Sequence, residues 1–580
     1  MSKNITLFAS AAALISAITV CSLYELHKIS TTHADIDNSK HRFATDFGLV
    51  KKALKKAWRS VGSDEAANTA PPAIKLGQCI LYNHTDLWGN ALVDGRHNKL
   101  PTAGACCKHC SDYNNGLRND EPPCNVWVWC GDEQLCKEQL HECWLKRLPY
   151  AQIIAPRSIS VEVDGRPVAW TSGTLSKDLD LTEVMHTWRL KALVKAKNMS
   201  HTWRKGGLGG ATPPIDPAAI VDSSLKKLKA GVKEPQLYHT VTSVQGAYNQ
   251  WQTRIHYYHF LKMKSKCRKE GFCEMGGFTR LLHSGSPDNI MEEIPTVVVD
   301  PMPPSLLKHD DYVVLNRPYA FVEWVKIASF PERYVLMSEP DHIFLRPLPN
   351  FMRGDKPAAF NFGYMNPVET NCMRIIKRLL QLESDLEVEK VFPIGNSPTY
   401  LTFEDMKRVM PIFLNYSMIV YQDADAKKEW GWVQEMYAFA MSMYVAGLRD
   451  IDLIPHLIAQ PPFDSDYELT PGRPFYILHY TYGLDFNETS GKVLMDKVGS
   501  WHFDKREHDP KPIPRGMRYP AVNVNFDLGR ELVRSLNEAT DAIPCWNQYY
   551  ESSGGVANKD CGEKPPPTES GFRYLIDDPA

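Results

Sequence analysis

Between residues 238 and 546, short β-branched runs alternate with segments whose apolar residues recur at helical spacing. The runs at 240–244, 296–299, 334–337 and 475–480 are predicted strands, and 372–386 and 432–448 are predicted helices. Strands alternating with helices predict an α/β domain, 237–548, built on a mostly parallel central sheet covered on both faces. The final stretch, 549–580, carries Pro565-Pro566-Pro567 and is predicted to be a flexible tail.

Upstream the texture changes. Residues 5–24 contain no charge, and a bilayer core of about 30 Å needs about 20 helical residues, so 1–24 is predicted to be an uncleaved signal-anchor helix. A cleaved signal peptide is the competing reading, and either sends the rest of the chain into a secretory compartment. Residues 25–75 are polar and end in Pro71-Pro72, as a stem would. Residues 76–170 hold a cysteine cluster, and 171–236, with Gly206-Gly207-Leu208-Gly209-Gly210, reads as a linker.

The cysteines carry more information than their total of 14, because eight of them fall between Cys79 and Cys143. A module that small cannot bury enough surface unaided. An even number of cysteines in an oxidising lumen therefore predicts disulfide staples and a small α+β fold. Cys107-x-x-Cys110 has the spacing of zinc ligands, but no second such pair follows. Asn83-His84-Thr85, Asn198-Met199-Ser200, Asn415-Tyr416-Ser417 and Asn487-Glu488-Thr489 are glycosylation sequons, in keeping with the same compartment. Sixty-six basic against 68 acidic residues leave a formal charge of −2, which gives no general attraction to nucleic acid.

The candidate chemistry begins at residues 334–337, an apolar run that stops at Ser338-Glu339-Pro340-Asp341-His342. Two carboxylates at the carboxyl end of a buried strand are costly unless a positive group joins them, and in open α/β sheets that edge is where ligands bind. Glu339 and Asp341 on an extended segment would project to one side and suit a hard divalent ion bridging a diphosphate. Gly395-Asn396-Ser397-Pro398 is predicted to be a tight turn presenting an amide. Gly431-Trp432-Val433-Gln434-Glu435 opens a helix with a polar pair, and His479 closes the last strand.

An acidic motif, an Asn turn, an acidic helix and a late histidine follow the order of parts in sugar-nucleotide transferases of GT-A (Rossmann-type) fold. That analogy implies a metal on Glu339, Asp341 and His479. Longer stretches resemble the plant hydroxyproline O-arabinosyltransferases: Glu274 to Gly285, Tyr312 to Pro318, Glu339 to Phe344, Pro393 to Pro398, Gly431-Trp432-Val433, Glu435 to Ala438, His479 to Gly483, and Trp501-x-Phe503-Asp504-Lys505-Arg506. The cysteine module, with Cys106-Cys107-x-x-Cys110 ahead of Cys124-Asn125-Val126-Trp127-Val128-Trp129-Cys130, resembles PAN/Apple domains, which bind proteins or carbohydrates.

The family resemblance implies a Golgi enzyme, single-pass type II, that moves L-arabinofuranose from UDP-β-L-arabinofuranose to hydroxyproline in secreted glycoproteins, with retention and with Mn²⁺. Within it, Asp341 and His479 would hold the ion, with Glu339 close to the ion or the ribose. His239, Thr240 and Thr242 would lie near the uridine, Arg254 and Arg280 would be phosphate or acidic partners, and Asn396 and Glu435 would be the catalytic pair beside the sugar, Glu435 either as a transient nucleophile or orienting the acceptor. Peptidyl-serine galactosyltransferases use similar parts. A third reading, a tethered binding protein on an inactive transferase scaffold, predicts that no UDP-sugar is consumed.

Overall fold

The computed structural model describes residues 74–76, 78–118, 121–149, 159–160, 162–163, 166–175, 216–220, 222, 232 and 561, and 234–555 apart from 307–311, 471, 496 and 522–525. The predicted anchor and nearly all of the stem lie outside the described residues. Among the described residues no helix is long and apolar enough to cross a membrane.

The cysteine module is a six-stranded sheet in which Val126–Cys130 lies between Trp170–Leu175 and Cys143–Arg147. The helix Ala103–Asn115 packs across it, its first turn capped by the Thr102 hydroxyl, which accepts from the Ala105 N–H. This helix buries Cys106, Cys107 and Cys110. Successive helical residues point about 100° apart, so the adjacent cysteines reach different partners: Cys106 bonds Cys143 and Cys107 bonds Cys79. Cys110–Cys124 and Cys130–Cys136 complete the set, leaving no thiolate for zinc. Gly173 is required here, because a Cβ would sit 2.1 Å from the ring of the buried Trp127. The sheet needs the strand Trp170–Leu175, so the module runs past the boundary expected at 170.

Residues 216–220 and 222, expected within a linker, are fastened to the following domain. Arg346 donates to the Ile220 carbonyl at 2.6 Å and to that of Pro217, and the Tyr476 hydroxyl donates to Asp222 at 2.6 Å. The module meets the same domain through Arg147, whose guanidinium donates to Glu389 at 2.6 Å. At the far end, the helix Trp546–Glu551 and a Cys545–Cys561 disulfide carry ordered structure past residue 548, into the expected tail.

The α/β domain runs β1 (Tyr238–Val244), α1 (Gly246–Lys269), β2 (Met275–Leu282), β3 (Thr296–Val298), α2 (Asn316–Ile327), β4 (Tyr334–Ser338), β5 (His342–Phe344), β6 (Ala358–Asn361), α3 (Thr370–Leu380), β7 (Ile394–Thr402), α4 (Phe403–Gln422), α5 (Gln434–Val445), β8 (Asp452–Leu453), β9 (Ile458–Ala459), β10 (Ile477–His479) and α6 (Asp527–Ala542). The central sheet has the order β3-β2-β1-β4-β7-β6-β8. Pairs β1–β2, β1–β4, β2–β3 and β6–β8 are parallel, while β7 runs antiparallel to both neighbours. Every residue of β1, β4 and β7 is buried, as strands covered on both faces must be. The sheet grows outward from β1 through β2 and β3, then restarts with β4 on the other side of β1. Their carboxyl ends form the crevice where such folds take ligands.

Burial sets a pH limit on this core. His259 on α1 bonds the Ser535 carbonyl of α6 at 3.1 Å, and burial pushes its imidazole down to about 3. Burial, with Arg317 nearby, pushes His283 down to about 4. Unfolding lets both take protons near their ordinary value, so the unfolded chain binds more protons than the native one between pH 6.5 and about 4. Stability therefore falls as pH falls through that window, with a slope of up to about 1.4 kcal/mol per pH unit for each histidine. Urea unfolding midpoints from pH 7.5 to 4.5 should drop steadily; a flat profile contradicts neutral burial of these rings.

Candidate active site

β4 delivers its chain to the crevice and then turns. Glu339-Pro340-Asp341 is a turn rather than the extended segment expected from sequence, so its carboxylates go to different partners. β5 pairs antiparallel with β10, placing His342 opposite His479 with ring centroids 4.7 Å apart. Asp341, one residue earlier, reaches the same spot, its Oδ2 lying 3.2 Å from His479 Nε2. The Lys505 ammonium also rests on Asp341 Oδ2. Burial opposes the Asp341 charge, yet His479 and Lys505 hold its carboxyl well below the usual carboxylate range.

Asp341, His342 and His479 offer ligand atoms within 4.8 Å of one another. Burial, reinforced by His479, keeps the His342 imidazole well below its ordinary value, and its Nε2 is buried without a hydrogen bond. A carboxylate and two imidazole nitrogens fit a divalent ion bound by mixed oxygen and nitrogen donors, and the Lys505 ammonium now occupies the place of a positive charge on that carboxylate.

Glu339 turns instead to Arg317 at the start of α2, accepting from its Nη2 at 2.7 Å. The same guanidinium lies 3.7 Å from Glu435 Oε1. Burial opposes charge on Arg317, but the two carboxylates raise its pKa. One cation shared between two acids cannot fully compensate both. Burial raises the Glu339 carboxyl despite Arg317, and burial with Glu339 repulsion pushes Glu435 up to about 7. Glu435 sits in the first turn of α5, where its backbone N–H donates to the Tyr312 hydroxyl at 3.3 Å, and its Oε1 makes no hydrogen bond.

Asn396 also lines this crevice, although residues 395–398 do not form the expected turn. They lie inside β7, at a register shift against β6: Ala359 faces Thr399, while Asn361 faces Ile394. The extra residues bulge toward the crevice, held by Ser397 Oγ donating to the Met337 carbonyl at 3.2 Å and Thr399 Oγ1 to that of Gly395 at 2.8 Å. Glu339, Asp341, Asn396, Glu435, His479 and Lys505 thus share one cavity of about 1120 Å³.

The other candidates lie elsewhere. His239 is bonded to Thr279 at 2.8 Å and stacked on Phe330 at 4.1 Å, five residues and about 17 Å short of the carboxyl end of β1 at ~3.3 Å per residue. Thr240 and Thr242 are fully buried on the alternate face of that strand, and Ser243 at its end lines the cavity in their place. Arg254 is engaged by Glu293 at 2.9 Å, and Arg280 by Asp288 at 2.8 Å and Thr296 at 2.9 Å, so neither guanidinium is presented to the crevice. Sequence reasoning gave no role to Arg317 or Lys505. The signal was a basic residue in each of the stretches 312–318 and 501–506, but their acidic partners become visible only in the fold.

The model of the hydroxyproline O-arabinosyltransferase family N-terminal domain matches residues 238–453, and that of the family's C-terminal domain matches 476–547. Hydroxyproline O-arabinosyltransferase 3 of Arabidopsis thaliana is 41% identical over 337 residues, covering 58% of this chain and 88% of the relative. The chain belongs to the hydroxyproline O-arabinosyltransferase family. A second member, RDN2 of Medicago truncatula, is 42% identical over 333 residues, covering 57% of this chain and 87% of its own. A peptidyl serine alpha-galactosyltransferase of Arabidopsis thaliana is more distant, 24% identical over 290 residues, with 46% of this chain and 31% of that one covered. Both family models lie within the α/β domain, and the cysteine module falls outside them.

Among solved structures, galactosyltransferase LgtC (TM-score 0.26, 10% identity, 42% of this chain and 87% of that one) and mouse xyloside xylosyltransferase 1 (TM-score 0.28, 13%, 42% and 97%) overlap with the chain. At such scores they add nothing to the argument. The GT-A-like assignment rests on the sheet order and the crevice at its switch point.

Proposed function

We propose that this chain is a glycosyltransferase that moves L-arabinofuranose from UDP-β-L-arabinofuranose to the hydroxyl of hydroxyproline in secreted glycoproteins, with retention and with a divalent cation, Mn²⁺, at the crevice. Family membership supports the reaction class. The observation that carries the site is the convergence of Asp341, His479 and Lys505 at the switch point, with Glu435 in the same cavity.

Asp341 and His479 would hold the ion, and His342 has an imidazole nitrogen to spare behind them. When bound, the cation supplies Lewis-acid neutralisation of charge on the departing nucleotide. Lys505 adds a fixed positive charge at the same edge, ready to exchange part of its contact with Asp341 for a diphosphate oxygen. Arg317 orients Glu339 and Glu435 together. In the proposed course the bond between the anomeric carbon and the phosphate oxygen breaks, the hydroxyproline oxygen bonds that carbon on the same face, and its proton passes to the departing phosphate. Glu435, with a carboxyl poised near neutrality, and Asn396 stand beside the sugar during this change. A Golgi location with a single-pass type II anchor is part of the proposal, supported by the uncharged run at 5–24, the sequons and the disulfides.

The test is to incubate the luminal portion with Mn²⁺, UDP-arabinofuranose or UDP-galactose, and a hydroxyproline-rich peptide, with and without EDTA. Mass spectrometry should show a pentose added and the addition abolished by EDTA. A hexose on serine, or binding without consumption of either donor, contradicts the reading.

A further inference from the structure

The cavity of about 1120 Å³ is large against the ~300–1,000 Å³ typical of small-ligand sites. Its wall carries three large aromatic side chains that the core does not use: Trp432 is 68% exposed, Phe463 61% and Tyr364 45%. Each is held by a neighbour. Trp432 meets the Tyr312 ring edge-on at 5.4 Å, Phe463 meets Tyr482 at 5.3 Å, and Tyr364 packs on Phe362 at 5.4 Å while donating to Met436 Sδ at 3.5 Å. Trp432 follows Gly431, whose φ of +50° turns the chain outward before α5 begins. Glu435 lies three residues on, so this indole is tied in sequence to the acid beside the sugar.

The proposed acceptor restricts what can recognise it. A segment rich in proline and hydroxyproline has few backbone N–H groups to add to a strand edge, and it favours the extended polyproline II form, with three residues per turn and ~3.1 Å rise. Such segments are bound by aromatic faces that take the pyrrolidine rings. Rigid aromatic rings at the mouth of the cavity supply that surface at little entropic cost.

Resting on the acceptor class proposed above, we infer that Trp432, Phe463 and Tyr364 form a shelf that seats prolyl rings flanking the reacting hydroxyproline. These residues set peptide specificity, separately from the polar groups that handle the sugar nucleotide.

Calorimetry without donor tests this, using a hydroxyproline peptide flanked by prolines and one flanked by alanines. Trp432→Ala should weaken the proline-flanked peptide about tenfold and the alanine-flanked one less than about twofold, and Phe463→Ala should do the same. Trp432→Phe should restore most of the difference. Both side chains are exposed, and a thermal melt confirms folding. Equal weakening of both peptides, no weakening, or loss of affinity for an arabino-oligosaccharide in place of the peptide overturns the shelf. Because donor is absent, peptide coupling can survive when no pentose is transferred, which would fault the reaction and spare the shelf. Pentose transfer with no coupling faults the shelf alone.

Discussion

Replacing Asp341 by alanine lowers arabinosyl transfer by about 10²–10³-fold, the rate equivalent of the several kcal/mol that a metal-assisted leaving group supplies. Asp341 is 3% exposed and holds both His479 and Lys505, so its loss dismantles the proposed cation site and frees the ammonium that accompanies it. Removing a buried anion also strains the fold. Asp341→Asn, which keeps the volume and one acceptor oxygen, separates the two effects: its melting temperature stays nearer wild type while transfer is still lost. Steady-state kinetics on both variants provide the check, and near-normal turnover in Asp341→Asn contradicts the role given to this carboxylate.

Arg254→Ala destabilises the folded chain by about 3–5 kcal/mol, as removal of one partner from a buried ion pair does. Arg254 is 2% exposed, lies 2.9 Å from Glu293, and stacks 4.5 Å from the Tyr549 ring and 5.2 Å from that of Trp546. The variant loses the charge pairing and the packing of α1 against the last helix together. Arg254→Met keeps most of the volume and should recover part of the loss. Urea unfolding measures both. If instead stability is unchanged and affinity for UDP falls, Arg254 is a nucleotide ligand after all and the structural assignment fails.

Much of the fold was legible because burial imposes a pattern. β1 and β4 are buried on both faces, β4 reading as an apolar run and β1 as a β-branched run interrupted by His239 and Ser243, and the carboxylates after β4 stand out because such residues do not end a buried strand without a partner. The even cysteine count predicted the staples, but which cysteines pair depends on the helix that directs Cys106 and Cys107 apart. Strand alternation in β1 places successive residues on opposite faces. It separates Thr240 and Thr242 from Ser243, and distance along the strand removes His239. Gly395 to Pro398 carry the composition of a turn yet lie within β7, as the residues of a bulge between Ile394, opposite Asn361, and Thr399, opposite Ala359 and Met337. Lys505 is 164 residues from Asp341, and no local pattern announces a contact at that separation.

A cation held by Asp341 and His479 against a sugar nucleotide is the centre of the proposed mechanism. Manganese paramagnetic resonance in the presence of UDP reads this directly, since bound Mn²⁺ leaves the free-ion signal. Wild-type chain should remove Mn²⁺ from that signal in a UDP-dependent titration, and Asp341→Ala and His479→Ala should remove little. Equal uptake by the variants, or no uptake by the wild type, contradicts it.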